Sequence, residues 1–381
     1  MNRKLTSIGL AIVFAMPAYA DVTIYESGGD TVKIRGRADV AAVNTQGETG
    51  LIDGSSRLNI NFARDMNDGW SAMAVIETGI NLVGETGIAF PGGDSFQTRR
   101  DDPLNLRLGY VGVSHPDYGS LTMGKQWGAF YDIAVITDMG RTWSATASGV
   151  FNFNGDGGLS GTGRADKAVL YRNSFGDISF ALQAQFRAVS DNIDELVAPS
   201  DPEDRVLSVD YDSTTGGSVM YTFAGDHTLA AGFNEGTFTG TLEGGGEIEV
   251  DDSVVAIAYR YGKYRDGLYV GLFYNDAEFH EIDNFSRAIP DSTGIEVFAS
   301  YRGDSKWMPY VMYNSLDADS SYGARYDGEE FHREFFATGA IWFWNEKTDI
   351  YFDVRVDTSD MGRLQEEIED DGVAIGMRYT F

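Results

Sequence analysis

The chain has 381 residues, 43% apolar and 13% aromatic, with 46 Gly, 8 Pro, no Cys and a formal net charge of −29. That charge excludes nucleic acid as a partner, because phosphate binding needs a basic face. The missing cysteine excludes a disulfide scaffold, thiolate metal sites and a thiol nucleophile.

The chain opens with Arg3 and Lys4, an apolar stretch over 8–16, and Ala18-Tyr19-Ala20. A basic start, a short greasy run and an A-x-A site read as a secretory signal peptide over 1–20, leaving 21–381 as the folded unit. The greasy run is too short to span a bilayer. These 20 residues hold two basic and no acidic residues, so the remainder stands at −31. Beyond them no apolar run is long enough for a transmembrane helix. That does not exclude a barrel, whose lipid-facing residues are diluted one-in-two by lumen-facing ones.

The rest of the chain alternates with a period of two. Leu58, Ile60 and Phe62 alternate with Arg57, Asn59 and Asn61; Leu106, Leu108 and Tyr110 alternate with Asn105, Arg107 and Gly109. Over 178–187 one face reads Ile, Phe, Leu, Ala, Phe and the other Ser, Ala, Gln, Gln, Arg. Ile350, Phe352, Val354 and Val356 follow the same rule, as do Val373, Ile375, Met377, Tyr379 and Phe381. Successive side chains of a strand point to opposite faces, so each segment has one greasy and one polar wall. Sixteen strands are predicted, near 31–44, 54–65, 69–83, 104–114, 118–126, 166–175, 177–188, 214–223, 226–236, 252–261, 267–277, 293–302, 305–314, 332–344, 347–358 and 371–381.

Their connections alternate. Seven are tight, around Asn67-Asp68-Gly69, Pro116-Asp117, Gly176, Gly225-Asp226, Arg265-Asp266-Gly267, Gly303-Asp304 and Asn345-Glu346. Eight are read as long: 45–53, 84–103, 127–165, 189–213, 237–251, 278–292, 315–331 and 359–370. Short turns at one end and long loops at the other are the rhythm of an outer-membrane barrel, and an even count leaves both termini at the turn end. Each tight turn has an aromatic neighbour (Trp70, Tyr118, Phe175, Phe223, Tyr264, Trp307, Trp344), as an interfacial girdle requires. The fold expected is all-β, a 16-stranded antiparallel transmembrane β-barrel. In lipid every backbone hydrogen bond must be satisfied within the protein, so the sheet must close. A cylinder of about 16 strands is wide enough to keep an aqueous lumen.

The order of motifs resembles the trimeric Gram-negative general-porin family. The likeness rests on Val22-Thr23-Ile24-Tyr25-Glu26 through Arg37, on Leu108-Gly109-Tyr110-Val111-Gly112 leading to Tyr118 through Gln126, and on Tyr131-Asp132 with Thr137-Asp138-Met139. Gly163-Arg164, Tyr171-Arg172-Asn173-Ser174 and the terminal Phe381 complete it. The resemblance implies a homotrimer of barrels whose third loop, near 127–165, folds into each lumen. It implies a basic wall of Arg37, Arg57, Arg107 and Arg164 facing Asp138 on that loop, with Asp132 and Arg141 as further loop charges. Alternation independently puts Arg37, Arg57 and Arg107 on the polar face. One departure matters: the family often continues with Pro-Glu-Phe-Gly-Gly, where this chain has Gly140-Arg141-Thr142-Trp143-Ser144. The second loop acid is missing there.

Other constellations read as surface. His115, His227, His280 and His332 sit beside turns or loop ends without metal-ligand spacing and are taken as solvated. Acidic clusters occur at Asp201, Glu203 and Asp204, at Asp317, Asp319, Asp327, Glu329 and Glu330, and at Glu366, Glu367, Glu369, Asp370 and Asp371. They read as solvated loops, with divalent-cation bridging to lipopolysaccharide as the rival reading. Gly155-Asp156-Gly157-Gly158 lacks a phosphate-loop lysine and reads as loop. No nucleophile and base can be paired, so no enzyme, cofactor or metal is expected. The function expected is a passive outer-membrane channel for ions and small hydrophilic solutes, both termini periplasmic, with at most a weak cation preference. The rivals are a substrate-selective porin and a surface structural or adhesive barrel.

Overall fold

The computed structural model describes residues 21–45, 48–84, 103–153, 155–190, 205–360 and 371–381. The leader and the acids Asp201, Glu203, Asp204, Glu366, Glu367, Glu369 and Asp370 lie outside the described residues.

The elements in order are β1 (Val22–Ser27), β2 (Asp30–Thr45), β3 (Glu48–Asp53), β4 (Arg57–Asp65), β5 (Ser71–Ile80), β6 (Leu104–His115), β7 (Gly119–Trp127), a single helical turn α1 (Tyr131–Ala134), β8 (Arg164–Phe175), β9 (Ile178–Ser190), β10 (Val206–Phe223), β11 (His227–Leu242), β12 (Glu247–Lys263), β13 (Asp266–Ile282), β14 (Ala288–Arg302), β15 (Trp307–Ala318), α2 (Ser320–Arg325), β16 (His332–Phe343), β17 (Thr348–Asp357) and β18 (Gly372–Thr380). From β4 to β18 each strand pairs antiparallel with the next. β4 pairs with β2, Arg57 opposite Arg37. β18 returns to the other edge of β2, Thr380 opposite Arg37 and Gly372 opposite Thr45. The sheet therefore closes into a 16-stranded cylinder.

The two remaining strands are continuations. β3 prolongs β4 along one edge of β2, pairing with Val40–Thr45. β1 prolongs the line of β18 along the other edge, pairing with 30–34. The seam is thus made by both chain ends. The C-terminal residue exchanges backbone hydrogen bonds with Gly36 at 2.9 and 3.0 Å, and the Phe381 ring occupies the place a Cβ would take at residue 36.

The polarity of the cylinder is the reverse of a soluble protein's. Leu182 (56% exposed), Ile257 (62%), Leu272, Val311, Phe352 and Ile375 face outward. Residues of the opposite parity, Gln183, Asn234, Asn275, Glu296, Asn314 and Asp353, are buried inside. Only a lipid surround makes that arrangement favourable. Trp70, Tyr118, Phe175, Trp307 and Trp344 are exposed beside the tight turns, and Phe223 stacks on Tyr221 there. Tyr264 departs from the expected girdle. It turns inward against Tyr269 and Phe298, rings whose burial offers it more contact than the interface does.

Three connections expected to be long are short. Those at 45–53, 237–251 and 278–292 shrink to 46–47, 243–246 and 283–287 as the flanking strands extend. On β10 to β14 the strands rise beyond the greasy belt, and there the outward residues are Glu235, Asp251, Asp276, Glu278 and Asp291. A strand that has left the lipid needs no apolar face, so alternation of greasy and polar residues no longer marks it.

Candidate pore constriction

The chain between β7 and β8, residues 128–163, turns into the cylinder and is held by inward side chains of strand after strand. It leaves β7 with the Trp127 and Tyr131 rings stacked at 3.8 Å. Asp132 receives both ends of the Arg172 guanidinium from β8 at 2.8 Å. Gln183 of β9 accepts from Ala129 N–H, and Tyr269 of β13 donates to the Ile136 carbonyl at 2.8 Å. Glu296 of β14 accepts from Thr137 and from the Ala147 N–H. Asp353 of β17 accepts from Thr142 N–H at 2.9 Å, and Asp349 pairs with Arg141 at 3.0 Å. The chain then doubles back: Asn275 donates to the Ala147 carbonyl, Asn234 to that of Ser160 and Gln185 to that of Gly158.

Sequence and shape cooperate in this docking. Trp143, 1% exposed, sits in a cluster with Tyr269, Phe298, Met308, Tyr310, Met312, Phe335 and Tyr351. Gly294 lets the loop backbone lie on the wall: a Cβ there would stand 1.9 Å from the Ala147 carbonyl oxygen. The inner face was expected to be rich in polar residues and glycine. Where the loop covers it, from β12 to β18, much of it is aromatic or aliphatic, because the loop keeps water off that surface.

Charges lie on both sides of the bore: Glu296, Asp349, Asp353 and Arg355 beneath the loop, and a basic group on β2 to β8. Arg57 and Arg107 share Glu77 of β5, at 3.5 and 3.0 Å, and Asn59 donates to the same carboxylate. Arg37 donates to the backbone carbonyls of Ser55 and Gly54. Arg164 and Lys125 share Asp156, each at 3.0 Å, and Lys125 also meets Asp166 at 2.7 Å. Arg37 feels the charges of Arg57, Arg107 and Arg141, and Arg107 those of Arg57 and Arg164. Asp138 accepts from the Tyr131 hydroxyl at 2.7 Å and from Ser144. Arg57 and Arg164 act electrostatically on that same tyrosine.

The structure therefore gathers Arg37, Arg57, Arg107 and Arg164 on one wall and places Asp138 on the loop. Asp132 and Arg141 lie deeper, each 4% exposed in its side chain, and tie the loop to the cylinder. Sequence reasoning missed Glu77, Lys125 and Asp156. Glu77 is an inward acid on β5, and Asp156 lay inside what read as a glycine-rich loop; only a contact across strands reveals either role. The expectation of solvated histidines needs correction at His280. It is fully buried, between Asp252 at 2.5 Å and the Gly149 carbonyl at 2.7 Å, because the loop covers the end of β13 that sequence left open. Among the described residues no cluster could hold a metal ion. Of the acidic loop residues, Glu329 pairs with Arg287 at 2.9 Å and Asp319 caps α2.

The Gram-negative porin sequence profile matches residues 6–362. The chain belongs to the Gram-negative porin family. This porin is 24% identical over 411 residues to outer membrane protein S2 of Salmonella typhi, covering 100% of both chains. It is 26% identical over 285 residues to outer membrane porin PhoE of Escherichia coli, covering 72% of this chain and 73% of that one. Its fold matches the Salmonella typhi OmpF complex with daunomycin (TM-score 0.67, 20% identity, 94% and 100% of the chains covered). It likewise matches an anion-selective porin from Comamonas acidovorans (TM-score 0.64, 15% identity, 92% and 100% covered). This porin is an outer-membrane barrel.

Proposed function

We propose that this porin is a passive diffusion channel for ions and small hydrophilic solutes, without enzymatic activity. What supports the reading is the make-up of the inner surface: residues of the third loop are held inside the cylinder over an aromatic cluster, and Arg37, Arg57, Arg107 and Arg164 stand on β2, β4, β6 and β8. In this reading those four residues and Asp138 form the constriction, with Glu77 and Asp156 trimming the positive charge. Fixed charges lining a narrow bore set which ions pass. The acidity of the chain concentrates cations at the mouths, while the arginine wall opposes them at the narrowest point. The expected balance is a weak cation preference.

The protein is proposed to be exported by a leader over 1–20. It then assembles as a homotrimer among outer-membrane lipid and lipopolysaccharide, tight turns and both termini on the periplasmic side. Planar-bilayer recording tests the reading. Insertion in three equal steps of stable conductance, with a small cation-selective reversal potential in a salt gradient, is the expected result. A barrel without steady conductance would overturn it in favour of a surface structural role.

A further inference from the structure

The return limb of the loop carries Asp156, and it is anchored by a buried histidine. His280 sits near the loop end of β13, with no exposed surface, and Asp252 of β12 is equally enclosed. Its Nδ1 lies 2.5 Å from Asp252 Oδ1 and its Nε2 lies 2.7 Å from the Gly149 carbonyl oxygen. A carboxylate and a carbonyl both accept, so the ring nitrogen that carries a proton has an acceptor on either side. Asp252 is fixed in turn by the Tyr211 hydroxyl at 2.5 Å from β10. Three strands thus converge on one carbonyl of the loop.

The grip extends along the limb. Asn152 donates to the His280 backbone carbonyl at 3.1 Å. Its side-chain oxygen accepts from Ser160 at 3.0 Å. Ser160 meets Thr162 at 2.9 Å, and Thr162 donates back to the Val150 carbonyl at 3.1 Å. These bonds tie 149–152 to 160–162, the two ends of the segment that carries Asp156. Asp156 meets Arg164 and Lys125, each at 3.0 Å.

We infer that His280, held by Asp252, is a positioning residue for ion selectivity: it fixes the limb that keeps Asp156 against Arg164 and Lys125. Its loss lets the carboxylate shift and unmasks Arg164 in the bore, while Lys125 keeps Asp166. Hydrogen bonds to an ionised group are the strong class, and this pair acts alongside the backbone bonds that join Asp156 and Gly158 to Arg164 and Asp166. This inference rests on the proposed channel function.

The test compares His280→Ala, Asp156→Asn and the double variant in planar bilayers by reversal potential in a potassium chloride gradient. His280→Ala is expected to shift the reversal potential toward anions, in the direction of Asp156→Asn and by a smaller amount. The double variant is expected to match Asp156→Asn alone, because the two act through one carboxylate. His280→Gln, which keeps one donor for the Gly149 carbonyl, should recover part of the shift. An unchanged reversal potential in His280→Ala, or fully additive shifts in the double variant, would overturn the inference. Absence of conductance in the unaltered protein would instead sink the channel reading. If His280→Ala fails to assemble, Asp252→Asn is read the same way.

Discussion

The two halves of this cylinder's inner face follow one backbone rule, yet only one of them carries a greasy cluster. From β12 to β18 the inward positions hold Tyr269, Phe298, Tyr310, Phe335 and Tyr351 under the loop, with Glu296, Asp349 and Asp353 bonded to it. From β2 to β8 they hold Arg37, Arg57, Asn59, Glu77, Arg107 and Lys125. Alternation decides only which way a side chain points. What covers it decides whether a greasy side chain can stand there without meeting water. A barrel that fills half its bore with its own loop builds a small core where a soluble protein would have one, and keeps water for the other half.

Replacing Trp143 by Ala strikes the covered half hardest. Removing a fully buried ring costs about 3–5 kcal/mol, and the loop should lose its seat. The expected readout is noisier, larger single-channel conductance with the barrel's strand content unchanged by circular dichroism. On the outer surface, Ile257→Arg should cost about 2–4 kcal/mol in a folding titration into lipid vesicles, because it puts a charge inside the apolar belt. A neutral result there would mean the belt is drawn on the wrong face. Gly294→Val forces a side chain into the Ala147 carbonyl and should cost about 1–3 kcal/mol, again raising conductance. Glu77→Gln leaves the bore intact but strips the shared counter-charge from Arg57 and Arg107. A reversal-potential shift toward anions is expected. The smallest effect is expected from Arg187→Ala, whose partner Asp210 lies with it on the exposed surface. Neither heat stability nor selectivity should change.

The strands were legible wherever lipid imposed a greasy face, and the belt segments such as 178–187 and 373–381 were placed by it. Legibility failed where the strands left the lipid: Glu247 through Asp251 reads as loop and is strand. That Arg37, Arg57 and Arg107 lie on the inward face was readable from parity. The arginines' partners were not, since Glu77 and Asp156 reach them across strands or across the loop. His280 misled for the same reason, because nothing in one dimension says that Gly149 and Asp252 will enclose it. Tyr264 beside its turn was indistinguishable from a girdle residue until neighbouring rings drew it inward.

The absence of cysteine makes one measurement decisive. Single cysteines at Arg37 on the bare wall and at Ala337 beneath the loop can be probed with a small charged thiol reagent during planar-bilayer recording. The account predicts that Arg37→Cys reacts and the current falls in a step, while Ala337→Cys stays silent. Equal reaction at both positions, or modification of Arg37→Cys without any change in current, would contradict it.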